Sequence, residues 1–342
     1  MELNNIQNLL SECEPQNYIF EFECGVEAYI NLHPIERYFT YIATESDPKV
    51  DYFSAEMIAF TQKSKEAYPT LADCDGSGTK GNNSLIHDVY KTLFGWEKGR
   101  ETFGSIEGFD CLFGGETMNS VFYPLIDIVG DSIKQIRKNP VMIKFSKNHL
   151  IDYFAQKETH KDFVSVLQNT YGLIDYLNSY HTLGNFTLVP AKFNGYRGIK
   201  LRDYWDDSLN YLMNNGFEDT PKDTGKFDKN QFVKYVNYFF LWDYINTSGQ
   251  HKSLNPQKGE LYYFRQRTCY IYRRGIFMTT MLRLNVLLGQ GKYNEMRKVI
   301  FGRPDRIYTG YDEVIDEIKR YLSHNETEML LENCKHEIGR IC

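Results

Sequence analysis

The sequence predicts an α+β protein, predominantly helical with a minor β component and folded as a single compact domain. Three observations lead there. Apolar residues recur at the helical spacing through most of the chain, from the segment 54–67 to the stretch after Glu326. Alternating, strand-like patterns occupy only a few short windows. No linker composition and no internal repeat divides the 342 residues, a length between one large domain and two ordinary ones. At 42% hydrophobic and 25% charged, the chain has the balance of a folded protein rather than a disordered one.

Residues 2–12 read as a short helix ending near Pro15. The run 18–42 begins as an alternating strand (YIFEFE) and continues at helical spacing through Ile35, Tyr38, Phe39 and Ile42, after Pro34 in a first-turn position. A helix over Ser54–Ala67 is stopped by Tyr68-Pro69. The loop 72–84 starts like a calcium loop at Asp73 and Asp75. Its twelfth position is Ser84, where a bidentate Glu is required, so it reads as a surface loop. Residues 85–97 look helical, and six glycines then cut 95–115 into short strands and turns. Helical periodicity returns over 119–136, 149–157 and 163–177, the last with Val166, Leu167, Tyr171, Ile174 and Leu177 on one face.

Further on, Tyr204–Met213 reads as a helix with Leu209, Leu212 and Met213 inward and Asp206 and Asp207 near its positive end. A polar loop covers 214–230. Phe232–Ile245, apolar on more than one face, predicts a buried helix. A long helix over 262–288 has an inner stripe at Phe264, Ile271, Met278 and Leu282, with Arg265, Arg267, Arg274 and Arg283 off it. Two short charged helices (292–300 and 311–321) and a last one from Glu326 complete the chain. A soft subdivision separates a mixed amino-terminal part (1–135), a helical core (136–257) and basic carboxy-terminal helices (258–342).

Charge is unevenly placed. Between Lys258 and Arg306 eleven Lys or Arg face Glu260, Glu295 and Asp305, a local +8 that leaves −14 on the rest of a chain of net −6. Such a block is either a face for an anionic ligand or nucleic acid, or a surface that docks on the protein's own acidic part. The 26 Tyr and 23 Phe point either to a wet aromatic core or to an aromatic-lined, base-stacking pocket. None of the seven Cys stands at C-x-x-C spacing, and the amino-terminal residues are polar and acidic. No apolar run approaches the ~18 residues of a membrane span. The expectation is free thiols, no membrane and a cytoplasmic location.

The densest signal runs from Tyr180 to Leu209, YHTLGNFTLVPAKFNGYRGIKLRDYWDDSL. Gly184 suits a turn from helix into strand, and Asn185 can close that turn with its side chain. Phe186, Leu188 and Phe193 read as core, Asp203 as a helix cap and Trp205 as an anchor. Arg197, in a Gly-flanked loop, either clamps a carboxylate or phosphate or pairs internally with Asp206, Asp207 or Asp243. Gly184, Pro190, Asn194, Arg197-Gly198 and Asp203-Tyr204-Trp205-Asp206 resemble the core of a bacterial family catalogued as a domain of unknown function. The segments FVKYVNYFFLWDYI (232–245) and YYFRQRTCYIYRRG (262–275) look like the same family, and the resemblance implies no activity.

A shorter likeness carries chemistry. LGNFTLVPAKFN (183–194) is similar to a segment in the C-terminal domain of GmrSD-type modification-dependent restriction enzymes, which is related to HNH nucleases. The similarity implies a ββα unit holding one divalent ion, Mg2+ or Mn2+, against a scissile phosphate. Asn185 and Asn194 match its two later positions. The general base expected on a preceding strand has no counterpart, because His181 lies only four residues before Asn185.

Three functional expectations follow from these residues. One is a binding or regulatory protein, with no evident cofactor, that takes an anionic or nucleotide-like ligand at Tyr196, Arg197, Asp203, Trp205, Asp206, Arg273 and Arg274. Another is a metal-dependent phosphodiesterase or nuclease with His181, Asn185 and Asn194 as its degenerate catalytic set. The third is an interaction component of a mobile-element or phage-defence system. No P-loop, dinucleotide glycine motif, H-E-x-x-H or G-x-S-x-G supports a commoner enzyme class.

Overall fold

The computed structural model describes residues 92–94, 102–103, 106–107, 111–114, 184–190, 193, 196–197, 200–201, 204–215, 229–245, 263–322 and 325–341. Within these, helix predominates. In chain order the helices are α1 (Trp205–Asn215), α2 (Lys229–Tyr238), a 3-10 turn (Trp242–Tyr244), α3 (Tyr263–Leu288), α4 (Gln290–Ile300), α5 (Tyr311–Leu322) and α6 (Asn325–Arg340). The β component is four short strands, β1 (Thr102–Phe103), β2 (Ile106–Glu107), β3 (Cys111–Gly114) and β4 (Thr187–Pro190), paired antiparallel as β1–β2 and β3–β4. The expected elements over 2–84 and 119–177 lie outside the described residues.

The 26-residue helix α3 is the axis of the described body. Its expected stripe, Phe264, Ile271, Met278 and Leu282, is buried, and so are Tyr270, Phe277, Met281 and Leu284 on other faces. Burial all round is what a central helix requires. It packs against α4 and α6, and α5 packs against α6. Helix α5 is the most regular of the outer helices: Val314, Ile315, Ile318 and Leu322 face inward. Asp312 and Glu313 sit in its first turn and Lys319 and Arg320 in its last, as the helix dipole favours.

Strand β4 is the apolar segment of the 180–209 stretch, and it ends at Pro190. Its partner β3 comes from the glycine-rich region, with Phe113 opposite Leu188 and Gly114 opposite Thr187. Proline is tolerated there because Pro190 closes the strand instead of interrupting it.

One expectation is corrected. Residues 232–245 are not a single helix: α2 ends at Tyr238, and Phe240 adopts a left-handed conformation (φ 59°) before the 3-10 turn. The Leu241 amide donates to the Val236 carbonyl at 3.0 Å, which closes the helix in the manner usually reserved for glycine. Left-handed backbone costs an L-residue about 1–2 kcal/mol. Burial of the Phe240 ring outweighs that cost. It stands 4.9 Å from Phe277, 5.2 Å from Phe301 and 5.5 Å from Trp242. Deleting a core Phe costs about 3–5 kcal/mol, so Phe240→Gly relieves strain yet is expected to lose about 2 kcal/mol net, read by urea denaturation. A stabilised Phe240→Gly protein would mean that the backbone strain outweighs the packing.

Candidate functional site

The 180–209 stretch and the arginines of α3 meet at one turn. Gly184 lies against α3 so closely that a β-carbon there would collide with the Ile271 carbonyl group. The backbone carbonyls of this turn then point into the protein, where polar side chains of three helices receive them. Arg274 of α3 donates Nη1 to Gly184 O at 2.8 Å and to Phe186 O at 2.7 Å, and Nε to Phe239 O at 2.8 Å. Trp205 of α1 donates to Asn185 O at 3.2 Å, and Tyr235 of α2 donates to Leu188 O at 3.0 Å. Buried carbonyls demand such partners.

Arg197 is fully buried on the same side. Its guanidinium stands 4.4 Å over the Trp205 ring, and its Nε donates to Ser208 Oγ at 2.7 Å. Ser208 in turn donates back to Tyr204 O at 2.6 Å. The Trp205 ring lies 6.3 Å from Tyr244, which meets the guanidinium of buried Arg267 at 5.3 Å. Two arginines thus bracket two aromatic rings in the interior, and each cation–ring pairing strengthens when water is excluded.

The outer end of this arrangement is Asp243. It is nearly buried (6% of the side chain exposed) and pairs at 3.4 Å with Arg273, whose side chain is 30% exposed. Arg273 also lies 5.8 Å over the Tyr311 ring. Tyr311 donates its hydroxyl to Phe240 O at 3.1 Å. Burial, followed by the charge of Asp243, raises the Tyr311 hydroxyl well above its ordinary range and keeps it a donor.

Of the residues singled out in the sequence, Trp205 and Arg274 bond the turn that contains Asn185, Arg197 lies over Trp205, and Arg273 pairs instead with Asp243. Tyr196 is placed apart from their hydrogen bonds, half-buried against Tyr211 (4.7 Å) and Phe193 (6.4 Å). His181, Asn194, Asp203 and the side chain of Asp206 lie outside the described residues. No family model, curated protein or solved structure matches this chain. The two resemblances set out above therefore stand on the residues that carry them. Strand β3, which pairs with β4, contains no histidine and is more than seventy residues upstream in the sequence, unlike the first strand of a contiguous ββα hairpin. Among the described residues no three His, Cys, Asp or Glu side chains come together.

The basic block is spent largely on the protein itself. Arg267, Arg274 and Arg297 are buried, Arg273 pairs with Asp243, and Arg303 and Arg306 pair with Glu317 at 3.3 and 2.8 Å. Arg265, Lys292 and Lys298 are exposed. Tracking a nucleic-acid backbone needs such groups in a row at the surface.

The expectation of free thiols divides. Cys334 is free and buried, with burial pushing its thiol up to about 12, so it stays protonated at neutral pH. Cys269 is disulfide-bonded, and its partner side chain is outside the described residues. None of the described helices is long and apolar enough to cross a membrane.

The residues that the sequence did not flag are Ser208, Tyr235 and Tyr311. A serine inside a helix, four residues after Tyr204, is the one local cue among them, because such a hydroxyl bonds back to the preceding turn.

Proposed function

We propose that this chain is a binding or regulatory protein that takes an anionic, nucleotide-like ligand at Arg273. The reading includes a single compact domain over 1–342. One observation carries it. Of the three arginines named for a ligand, Arg197 and Arg274 are sealed inside and committed to internal acceptors, whereas Arg273 keeps 30% of its side chain exposed, with its guanidinium over an aromatic face. In the free protein Asp243 serves as its counter-ion. A phosphate or carboxylate reaching Arg273 competes for the outer N–H groups, and the planar fork suits two parallel hydrogen bonds. The neighbouring polar groups support binding rather than chemistry, since Tyr311 is held protonated and donates inward.

The test is thermal unfolding with inorganic phosphate and with adenosine triphosphate. A ligand at a hundred times its Kd adds about 2.7 kcal/mol of stability. The nucleotide is expected to raise the Tm of the native chain by more than phosphate does, and to leave that of Arg273→Ala unmoved. No shift with either probe, or a shift that survives Arg273→Ala, overturns the assignment. Because Arg273→Ala also strands Asp243, the readout is each protein's own shift rather than its absolute Tm.

A further inference from the structure

The elbow between α3 and α4 holds a short segment from far upstream. Residues Thr92–Phe94 are helical, and both Leu93 and Phe94 are buried. Phe94 lies 4.9 Å from Phe239 and 5.4 Å from Phe240. Three side chains of the elbow hold the backbone of this segment. Asn285 donates to Thr92 O at 3.4 Å, while Tyr293 and Arg297 donate to Leu93 O at 3.3 and 2.7 Å. Arg297 is buried, takes part in none of the described ion pairs, and rests its guanidinium 5.4 Å over Tyr238. Its Nε has no hydrogen-bond acceptor. A buried guanidinium with so little compensation depends heavily on the one carbonyl it does reach.

We infer that the α3–α4 elbow is a peptide-docking slot, gripped by Asn285, Tyr293 and Arg297, that takes a Leu-Phe segment and accepts the same sequence in trans. Side-chain donors read main-chain carbonyls, while Leu93 is buried and Phe94 packs on Phe239 and Phe240, as apolar anchors do in peptide grooves. The chain's own Leu93-Phe94 occupies the slot at the high effective concentration of a tethered ligand, so a free peptide competes only when the tethered copy is weakened.

The experiment uses a labelled synthetic peptide of residues 85–97 and the full chain. Binding to Leu93→Ala/Phe94→Ala is expected to be at least tenfold tighter than to the native chain, and to be lost when Arg297→Ala is added. Equal binding to both chains, no binding to the double variant, or binding indifferent to Arg297→Ala overturns the inference. If the double variant does not fold, hydrogen exchange decides. Arg297→Ala in the otherwise native chain is expected to speed exchange of amides 92–94 at least tenfold while those of α6 keep their protection. Unchanged exchange at 92–94, or equal loss of protection in α6, overturns it.

Discussion

Gly184→Ala is expected to cost about 3 kcal/mol or more, toward the upper end of what overpacking does, and to leave much of the chain insoluble on expression. The reason is the identity of the obstructing atoms. The added β-carbon meets the carbonyl group of Ile271, a backbone unit inside α3, so no rotamer change makes room. Either the turn moves off the helix, and loses the Arg274 bonds to Gly184 and Phe186, or α3 itself distorts. Gly291→Ala is the control, because nothing lies within 4 Å of a β-carbon there; it is expected to be neutral or slightly stabilising. Equilibrium urea unfolding of both variants checks the pair. A Gly184→Ala protein as stable as the Gly291→Ala control would mean that the turn and α3 are not packed as described.

Arg274→Ala is the second large effect. Three buried carbonyls, those of Gly184, Phe186 and Phe239, lose a donor at once. An unsatisfied buried group costs about 1–3 kcal/mol. Truncation opens space that water can enter, so the lower figure applies to each and the sum is about 3 kcal/mol. Arg274→Lys is expected to recover less than half of the loss. A single ammonium cannot reach acceptors on both the 184–186 turn and the end of α2, which the planar fork serves together. Full recovery by lysine would show that charge, not geometry, is what the site uses.

The legible part of this protein was the part whose pattern is local. Helix α5 announces itself through Val314, Ile315, Ile318 and Leu322 and through its charged ends, and α3 through Phe264, Ile271, Met278 and Leu282. The end of α2 was not legible. Phenylalanine carries no signal for a left-handed turn, and Phe240 adopts one only because Phe277, Phe301 and Trp242 surround its ring. The same holds for the arginines. On a helical projection Arg267 and Arg274 fall off the apolar stripe, which gives no sign that they are buried. They are buried because their environment comes from elsewhere in the chain: for Arg274, carbonyls from two distant segments, and for Arg267, the Tyr244 ring. In the candidate site, Arg197 and Trp205 were each recognisable, but with Asp206, Asp207 or Asp243 as the internal partner of Arg197, whereas the structure gives it Ser208 and the Trp205 ring; Tyr235 entered only through a tertiary contact.

The way the Gly184 turn is held has a consequence for synthesis. Its carbonyls wait for Trp205, Tyr235 and Arg274, which lie 20, 47 and 90 residues further along from the residues they hold. At the usual pace of translation the last of these follows roughly 5 to 20 s behind the glycine. During that interval β3, the ladder partner of β4, is already synthesised, but the carbonyls of Gly184 and Phe186 lack the guanidinium that will hold them. Any nascent chain arrested before Arg274 carries those two carbonyls without their donor, whereas one that has completed α3 does not.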